Sequence, residues 1–243
     1  MDDRKVALWG LAVGVFQILM AHAAFADDAN AVQWSATLGA TSDYVFRGLS
    51  YNDEKPAAQG SIDASYGIVS AGIWASNISD VGYKPAEVDI YTNVKPLLYG
   101  VTLDFGIIWY TYPGATSGLG LDSVELKAGT ELSPMENLKI APAFWYVPAQ
   151  SNAPITYTFE SAASYTLPAT ANFVPALSGL IGHSMAEESD AFSNGVSDYT
   201  YWNAGILLAI ENFTLDFRYW DSSIHHDGLA NERFVFTTTV SLQ

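Results

Sequence analysis

Apolar and polar residues alternate along most of the chain from Gln33 onward, and this period of two constrains the fold more than any other feature. The alternation is clearest in segments 58–66, 87–95, 124–129 and 213–219. Successive side chains of a β-strand point to opposite faces, so each segment predicts a strand with one apolar and one polar face. Beyond the N-terminal region, no stretch reaches the roughly 18 consecutive apolar residues of a membrane helix. The chain is therefore predicted to be all-β.

The pattern predicts twelve strands, which span residues 33–51, 57–67, 68–78, 86–96, 100–112, 122–132, 137–147, 154–167, 171–183, 199–210, 213–221 and 232–243. Longer connections follow the odd-numbered strands, and short turns such as Ser133–Glu136 and Glu211–Asn212 follow the even-numbered ones. An even strand number with long loops at one end and short turns at the other is typical of outer-membrane proteins. We therefore predict a transmembrane antiparallel up-and-down β-barrel with both termini in the periplasm.

The N-terminal region predicts a secretory signal peptide. Arg4 and Lys5 precede the apolar run 6–20, and residues 24–26 (Ala-Phe-Ala) form a small-x-small cleavage site. We therefore divide the chain into a signal peptide, residues 1–26, and a barrel, residues 27–243. An uncleaved N-terminal anchor is the alternative. The sequence has no Cys, which excludes disulfides, structural Cys-zinc sites and a lipoprotein anchor.

The placement of charge indicates which face of the strands lies outside. Away from strand ends, the acids and bases of the predicted strands occupy the alternate positions that form the polar face, which we call the polar parity. A charge on a lipid-facing side chain at mid-bilayer costs about 2–4 kcal/mol, so this sorting favours a polar interior and an apolar exterior. The alternative is a soluble lipocalin-like barrel with its apolar face inside, but twelve strands would enclose too much space to pack dry.

The charged residues of the polar parity are predicted to line the lumen. They are Arg47, Asp63, Glu87, Asp89, Lys95, Asp104, Glu125, Lys127, Lys139, Glu160, Asp216 and Arg218. These charged side chains would either select the ions that pass, as charged rings do in pores, or plug the barrel through salt bridges with one another. The sequence leaves both possibilities open. Acids outnumber bases in the predicted long loops, which predicts a weak preference for cations.

Aromatic residues near the predicted strand ends are candidates for the interfacial girdles of a membrane barrel. They are Trp34, Trp109, Tyr110, Tyr112, Trp145, Tyr146, Tyr199, Tyr201, Trp202, Tyr219 and Trp220.

The segment Ala40–Ser50, with the sequence ATSDYVFRGLS, resembles the opening signature of the TorF family of porin-like outer-membrane proteins. The likeness continues through Asp53–Ala57, Gln59–Asp63, Ala71–Asn77, Glu87–Tyr91, Leu215–Asp221 and Arg233–Phe236. The resemblance covers most of the mature chain and implies an outer-membrane barrel of the porin type. The chain departs from the common pattern of such barrels at its end, Ser241-Leu242-Gln243, where an aromatic residue usually aids assembly.

Two clusters of polar residues are candidates for a metal site or a catalytic site. His225, His226 and Asp227 are adjacent on a predicted loop, where neighbouring ligands point apart. His183 and Ser184 lack the spacing and the turn of a nucleophile site. The sequence also contains no phosphate-binding glycine loop, metal-ligand spacing or nucleic-acid motif. We therefore expect neither enzyme activity nor a cofactor.

These features together predict a channel in the outer membrane of a Gram-negative bacterium for passive passage of small hydrophilic solutes or ions. The expected partners are outer-membrane lipid, lipopolysaccharide and the solutes, with homo-oligomers left open. The net charge of −16 argues against nucleic acid as a partner. The alternative function is a non-conducting barrel with a structural or surface-interaction role through loops 184–198 and 222–231.

Overall fold

A computed structural model describes residues 31–78, 86–115, 121–150, 153–170 and 172–242. The predicted signal peptide, residues 1–26, lies outside the described residues. The described chain forms a closed antiparallel β-barrel whose sheet contains thirteen strands. One of these, the two-residue Leu97–Leu98, only extends a turn, so twelve strands form the wall. This confirms the predicted fold.

The strands in chain order are β1 (Gln33–Thr41), β2 (Val45–Phe46), β3 (Leu49–Ser50), β4 (Ala57–Tyr66), β5 (Val69–Ser76), β6 (Glu87–Val94), β7 (Leu97–Leu98), β8 (Val101–Thr111), β9 (Ser123–Met135), β10 (Leu138–Val147), β11 (Thr156–Thr166), β12 (Val174–Ala186), β13 (Asp198–Ile210), β14 (Phe213–Ser222) and β15 (Arg233–Leu242). The helix in the described residues is a single 3-10 turn at Ser193–Gly195. No helix in this part of the chain is long and apolar enough to cross a membrane.

Each wall strand pairs antiparallel with its neighbours in the chain. β1 closes the ring by pairing with β15, from Ala36 opposite Leu242 to Thr41 opposite Thr237. The long connections gather at one end of the barrel, which we call the loop side. The short turns and the two ends of the barrel chain lie at the opposite end, which we call the turn side.

Two predicted boundaries are wrong for identifiable reasons. The first wall strand ends at Thr41 and not at 51, because the chain turns into the barrel and forms the separate hairpin β2–β3. The turn predicted at Ser133–Glu136 lies at residues 136–137, since β9 continues through Met135. Asn137 takes the left-handed conformation there, with φ 65°. Pro134 fits this strand at a register shift between β9 and β10, which is where a sheet tolerates proline.

The outer face of the wall is apolar. Ile62, Ile73 and Ile90 lie directly opposite one another on β4, β5 and β6, and all three are exposed. Beyond β1, on β14 and β15, Phe217 and Phe236 make a similar exposed pair. The charged side chains of the described wall strands, away from strand ends, lie on the inner face. An exposed apolar belt around a closed barrel is the surface that a lipid bilayer covers.

Candidate functional site

A hairpin from the first long connection crosses the inside of the barrel. We call residues 42–56 the inner hairpin; β2 and β3 form its core, joined by the two-residue turn Arg47–Gly48. Both turn residues have positive φ, 47° and 81°, as a type I′ turn requires. A Cβ on Gly48 would lie 2.9 Å from the Cβ of Tyr201 and 3.1 Å from that of Ser222. The hairpin tip therefore touches β13 and β14, at a place where only glycine fits.

Arg47 fastens the hairpin tip to the wall opposite β1. Its Nη1 lies 2.9 Å from Glu125 Oε1 on β9, and its Nε lies 3.8 Å from Glu160 Oε1 on β11. Tyr110 donates a hydrogen bond of 2.9 Å to the other oxygen of Glu125, and Tyr201 donates one of 2.6 Å to Glu160. The Arg47 and Glu125 side chains are only 4% and 1% exposed, so this is a buried ion pair held within a tyrosine network.

A second charged contact fixes the base of the hairpin. Arg233, the first residue of β15, places Nη1 2.9 Å from Asp43 Oδ2 and 3.7 Å from Glu54 Oε1. Ser50 donates a 2.7 Å hydrogen bond to the other oxygen of Asp43. The backbone N–H of Ser50 also donates to the carbonyl of Leu229, at 2.7 Å. The hairpin is thus attached at its tip and at its base by different strands.

Apolar packing fills the loop-side half of the lumen on both sides of the hairpin. Tyr44 and Phe46 face one side, where they pack with Ala57, Ile78, Tyr91, Ile108, Tyr110, Tyr112, Trp145 and Val147. Val45 and Leu49 face the other side, against Ala191, Phe192, Tyr199, Tyr201, Trp220, Ile224, Ala230 and Val235. In this conformation the loop-side half of the barrel is a packed core.

Two carboxylates of β6 lie inside this packed region, and no basic side chain of the described residues is within hydrogen-bond distance of them. Glu87 and Asp89 are both 0% exposed. Tyr112 donates a 2.9 Å hydrogen bond to one oxygen of Glu87, while the other oxygen of Glu87 and both oxygens of Asp89 have no hydrogen-bond partner. Tyr44 approaches from the inner hairpin; burial and the nearby Glu87 raise the pKa of its phenol well above the usual value, so the hydroxyl stays neutral.

The turn-side half of the lumen carries paired charges of both signs. Asp104 lies 2.7 Å from Lys127 and 3.7 Å from Lys95. Arg218 contacts Asp216 at 3.0 Å and also donates to Asn203 and Ser178, so it joins three neighbouring strands. Lys139 and Glu131 form a half-exposed pair at 3.1 Å, and Asp63 accepts hydrogen bonds from Ser61 and Tyr91.

The structure places ten of the twelve predicted lumenal residues in wall strands, with their side chains toward the interior. Lys95 directly follows β6, and Arg47 lies at the hairpin tip. The prediction that Arg47 lies within the first wall strand is therefore wrong, because the chain turns back at Arg47–Gly48. Whether these residues line a conducting path stays a prediction.

The predicted aromatic girdle is correct only in part. Trp34, Trp109 and Trp202 are exposed on the outer face, 65%, 47% and 40% respectively. Tyr146 and Tyr219 lie half-buried on that face. The other candidates lie inside the barrel and are buried: Tyr110, Tyr112, Trp145, Tyr199, Tyr201 and Trp220. These six rings build the core around the inner hairpin.

Sequence reasoning missed the residues that seat the hairpin, chiefly Tyr44, Phe46, Gly48 and Arg233. The Arg-Gly pair between Val45-Phe46 and Leu49-Ser50 was the available signal, since glycine after a polar residue between two short extended segments favours a tight hairpin.

The side chains of the two candidate polar clusters make separate contacts and do not converge on a common catalytic or metal site. Ser184 faces the interior and shares a 2.8 Å hydrogen bond with Thr158. His183, the preceding residue, shares one of 2.9 Å with Thr200. Asp227 accepts hydrogen bonds from Ser193, in the connection between β12 and β13, and from the Leu229 N–H in its own loop. Within the described ranges, no group of three or more His, Cys, Asp or Glu side chains could hold a metal ion.

The barrel is similar in fold to solved membrane channels. One is the NanC porin, with a TM-score of 0.55 and 10% identity over 87% of this chain and 100% of that chain. Another is the COG4313 outer membrane channel from Pseudomonas putida F1, with a TM-score of 0.53 and 10% identity over 99% of this chain and 98% of that one. At this identity the likeness shows the fold, a closed barrel like those of outer-membrane porins and channels. No curated protein matches the sequence.

The sequence itself matches one family model over nearly all of the barrel, from residue 25 to residue 240. That model describes a "bacterial protein of unknown function (Gcw_chp)", whereas the TorF resemblance stays a prediction. The chain therefore belongs to the Gcw_chp family of bacterial proteins.

Proposed function

We propose that the barrel is a narrow porin-like channel for small hydrophilic solutes or ions, and that the inner hairpin closes its loop-side half. One observation carries the proposal. A lipid-facing barrel with a charged interior is crossed by a hairpin that pairs with itself and not with the wall sheet. A hairpin of this kind can leave its seat without breaking the barrel.

The hairpin is held by non-covalent contacts alone, which are the apolar packing on its two sides and the charged contacts at its two ends. Its tip is held by the contacts of Arg47 with Glu125 and Glu160, and its base by Asp43 with Arg233. Loops are among the least stable parts of a fold, so the free energy of opening one locally is lower than the free energy of unfolding the whole barrel. We infer that the channel conducts when these contacts break and rests when they form.

The turn-side half supports passage once the hairpin has moved. Three of its charged side chains are more accessible than those around the hairpin tip: Lys95, Lys139 and Glu131 are 36%, 41% and 42% exposed. Alternating acids and bases present hydrated surfaces of both signs, which suits small polar solutes. A barrel of twelve strands has an inner diameter between that of the filled eight-stranded barrels and that of the wide porins.

The charge of the loop-side half favours cations. Asp43, Glu87, Asp89, Glu125 and Glu160 line this half, whereas the bases among the described residues of its lumen are Arg47 and Arg233. An excess of acids raises the local concentration of cations at the entrance. The acidic loops outside the barrel act in the same direction, and divalent cations would let them contact lipopolysaccharide through loops 184–198 and 222–231.

A non-conducting barrel with a structural role is the second candidate. The packed core around the hairpin favours it, because a filled interior is what small non-conducting barrels have. The two functions differ in one measurable property, which is whether the barrel passes current.

The test is current through planar bilayers that contain the purified protein. The channel function predicts brief conductance steps in the parent protein and, under a salt gradient, a reversal potential of the sign that cation preference gives. Arg47→Ala should lengthen the open periods. Silence of both proteins, after a heat-dependent gel shift has established that they are folded, would support the structural role. A reversal potential of the opposite sign would overturn the cation preference alone.

A further inference from the structure

We propose that loop 222–231 is a latch for the inner hairpin: the closed loop forms part of the seat of the hairpin, and opening of the loop releases it. This role rests on the movement of the hairpin in the proposed channel, and it assigns control of that movement to the loop side. Three groups of contacts join loop 222–231 to the hairpin, to Arg233 and to loop 184–198.

Loop 222–231 contacts the hairpin directly through its backbone and its apolar side chains. The Ser50 N–H donates a 2.7 Å hydrogen bond to the Leu229 carbonyl. Ile224 and Ala230 are 3% and 1% exposed, and they belong to the cluster against which Val45 packs. Departure of the hairpin would break the backbone bond and expose apolar surface to water, which is unfavourable. The closed loop is therefore part of the seat.

Arg233 holds the hairpin and the loop with the same guanidinium group. Its Nη1 lies 2.9 Å from Asp43 on the hairpin, while Nε and Nη2 donate hydrogen bonds of 2.9 and 3.0 Å to the carbonyls of Asn231 and Gly228. A guanidinium is planar and holds its donors in a fixed fork, so the two loop carbonyls set the direction of Nη1. Opening of the loop removes both carbonyls and leaves Arg233 free to turn away from Asp43. The contact at the hairpin base thus depends on the closed loop.

Loop 184–198 holds the latch closed. Ser193 donates a hydrogen bond to one oxygen of Asp227, and the Leu229 N–H donates one of 2.9 Å to the other oxygen. Asn194 donates a further bond of 2.8 Å to the His225 carbonyl. Asp227 therefore connects the neighbouring loop to Leu229, the residue whose carbonyl accepts the hairpin. All five residues lie outside the wall strands, so the two loops can separate while the barrel stays intact.

These contacts make closure of the loop and seating of the hairpin mutually dependent. A contact that forms only when both are in place stabilises each of them by the same free energy. The loop side of an outer-membrane barrel faces the cell exterior. A molecule that binds the open form of loop 222–231 would therefore release the hairpin, and one that binds the closed form would keep it seated.

Two cysteine positions separate opening of the loop from release of the hairpin, since the chain has no cysteine of its own. Val45→Cys lies on the side of the hairpin that faces the loop. Ile108→Cys lies on β8, in the buried cluster on the other side of the hairpin. Opening of the loop alone exposes only the first thiol to a water-soluble maleimide, whereas release of the hairpin exposes both. Val147→Cys, in the same cluster as Ile108, replaces Ile108→Cys if that protein does not fold.

The test variant is Asp227→Ala, which removes the bonds from Ser193 and Leu229. It should raise the labelling rate at both thiol positions about ten-fold, which corresponds to about 1.4 kcal/mol, near the lower end of what a hydrogen bond to a charged group contributes. The matched control is Glu187→Ala, which removes an exposed acid of loop 184–198 whose partner is Tyr157 at 2.8 Å. This control should leave both rates unchanged.

Arg47→Ala, which releases the hairpin tip directly, distinguishes failure of the latch from failure of the proposed function. If Arg47→Ala speeds labelling at Ile108→Cys and Asp227→Ala does not, the latch is overturned and the movement of the hairpin stands. Faster labelling at Val45→Cys alone in Asp227→Ala would overturn the latch in the same way, because the loop would then open over a seated hairpin. If Arg47→Ala leaves Ile108→Cys at the parent rate, the hairpin does not move, and the latch fails together with the proposed movement.

Two further outcomes concern the variants themselves. Equal acceleration by Glu187→Ala would overturn the latch, since any loop acid would then have the same effect. If Asp227→Ala does not fold, Ser193→Ala removes the bond between the two loops and leaves Asp227 in place. It should speed labelling at both thiol positions by a smaller factor, and unchanged rates would contradict the latch.

Discussion

The attachment of the hairpin tip through Arg47 is the feature whose removal has the largest expected effect. Breaking a buried ion pair by deleting one partner costs about 3–5 kcal/mol, because the remaining charge is left without compensation. In Arg47→Ala the residual charges are Glu125 and Glu160. Tyr110 and Tyr201 still donate hydrogen bonds to them, so the lower figure of about 3 kcal/mol applies. Each 1.4 kcal/mol is ten-fold, so the unseated fraction should rise about 100-fold.

The assay uses the fact that the chain contains no cysteine. A single Val45→Cys places a thiol on the inner hairpin, where it packs inside the barrel in the seated state. When opening is fast relative to labelling, the rate of reaction with a water-soluble maleimide follows the unseated fraction. Arg47→Ala should therefore increase the labelling rate of this thiol about 100-fold, up to the rate of an exposed thiol at Glu188→Cys.

The matched control is Lys139→Ala, which removes a base from a half-exposed pair with Glu131. Exposed pairs contribute about 0–1 kcal/mol, and this one lies on the turn side, so labelling at Val45→Cys should change little. Two results would refute the reasoning. One is an Arg47→Ala protein that labels at the parent rate, and the other is equal acceleration by Lys139→Ala.

Three further predictions concern the same structure. Gly48→Ala should speed labelling of the hairpin thiol at least several-fold, since φ is +81° there and a Cβ would lie 2.9 Å from the Cβ of Tyr201 on β13; an unchanged rate would contradict the tip contact. Arg218→Ala should lower the temperature of the heat-dependent gel shift, because it removes the side chain that links three strands and leaves Asp216 without its basic partner. Labelling of the hairpin thiol should stay unchanged. Ile73→Arg, on the lipid face, should destabilise the barrel in lipid vesicles by about 2–4 kcal/mol in urea titrations. Ser70→Arg, on the inner face, should cost less, and an equal loss in both would contradict the assigned faces.

The wall of the barrel was predictable because lipid acts on every strand in the same way. An exposed apolar row such as Ile62, Ile73 and Ile90 repeats with period two, and a one-residue slip would place polar side chains in the bilayer. The weakest prediction, strand 171–183, is β12 (Val174–Ala186), displaced by three residues. Pro175 lies near its start, where the missing N–H does least harm.

The inner hairpin was not predictable from alternation alone. Val45–Ser50 interrupts the alternation for only a few residues, and so short an interruption does not distinguish an irregular wall strand from one folded back at Arg47–Gly48. The partners that hold it, Glu125 and Arg233, are 78 and 186 residues away from Arg47 in sequence. Such contacts depend on which wall strands face each other across the lumen, and no local pattern records that arrangement.

For the aromatic rings, the parity along each strand indicated the correct face, whereas nearness to the strand ends led to a wrong prediction. Tyr110 and Tyr112 share the parity of Asp104, and Trp220 shares that of Asp216 and Arg218. Parity therefore placed these rings inside the barrel, whereas nearness to strand ends suggested a girdle. The structure follows parity, because a residue on the inner face cannot reach the lipid interface.

The most direct measurement of the central claim is the current through a barrel that lacks its hairpin core. The Tyr51 N–H donates to the Tyr44 carbonyl at 2.7 Å, so the two ends of the hairpin are adjacent. Residues 45–50 can therefore be replaced by two glycines without stretching the wall. If the hairpin closes a channel, this variant should show steady open currents in planar bilayers, larger and longer-lived than those of the parent. A folded variant that passes no current would contradict the account.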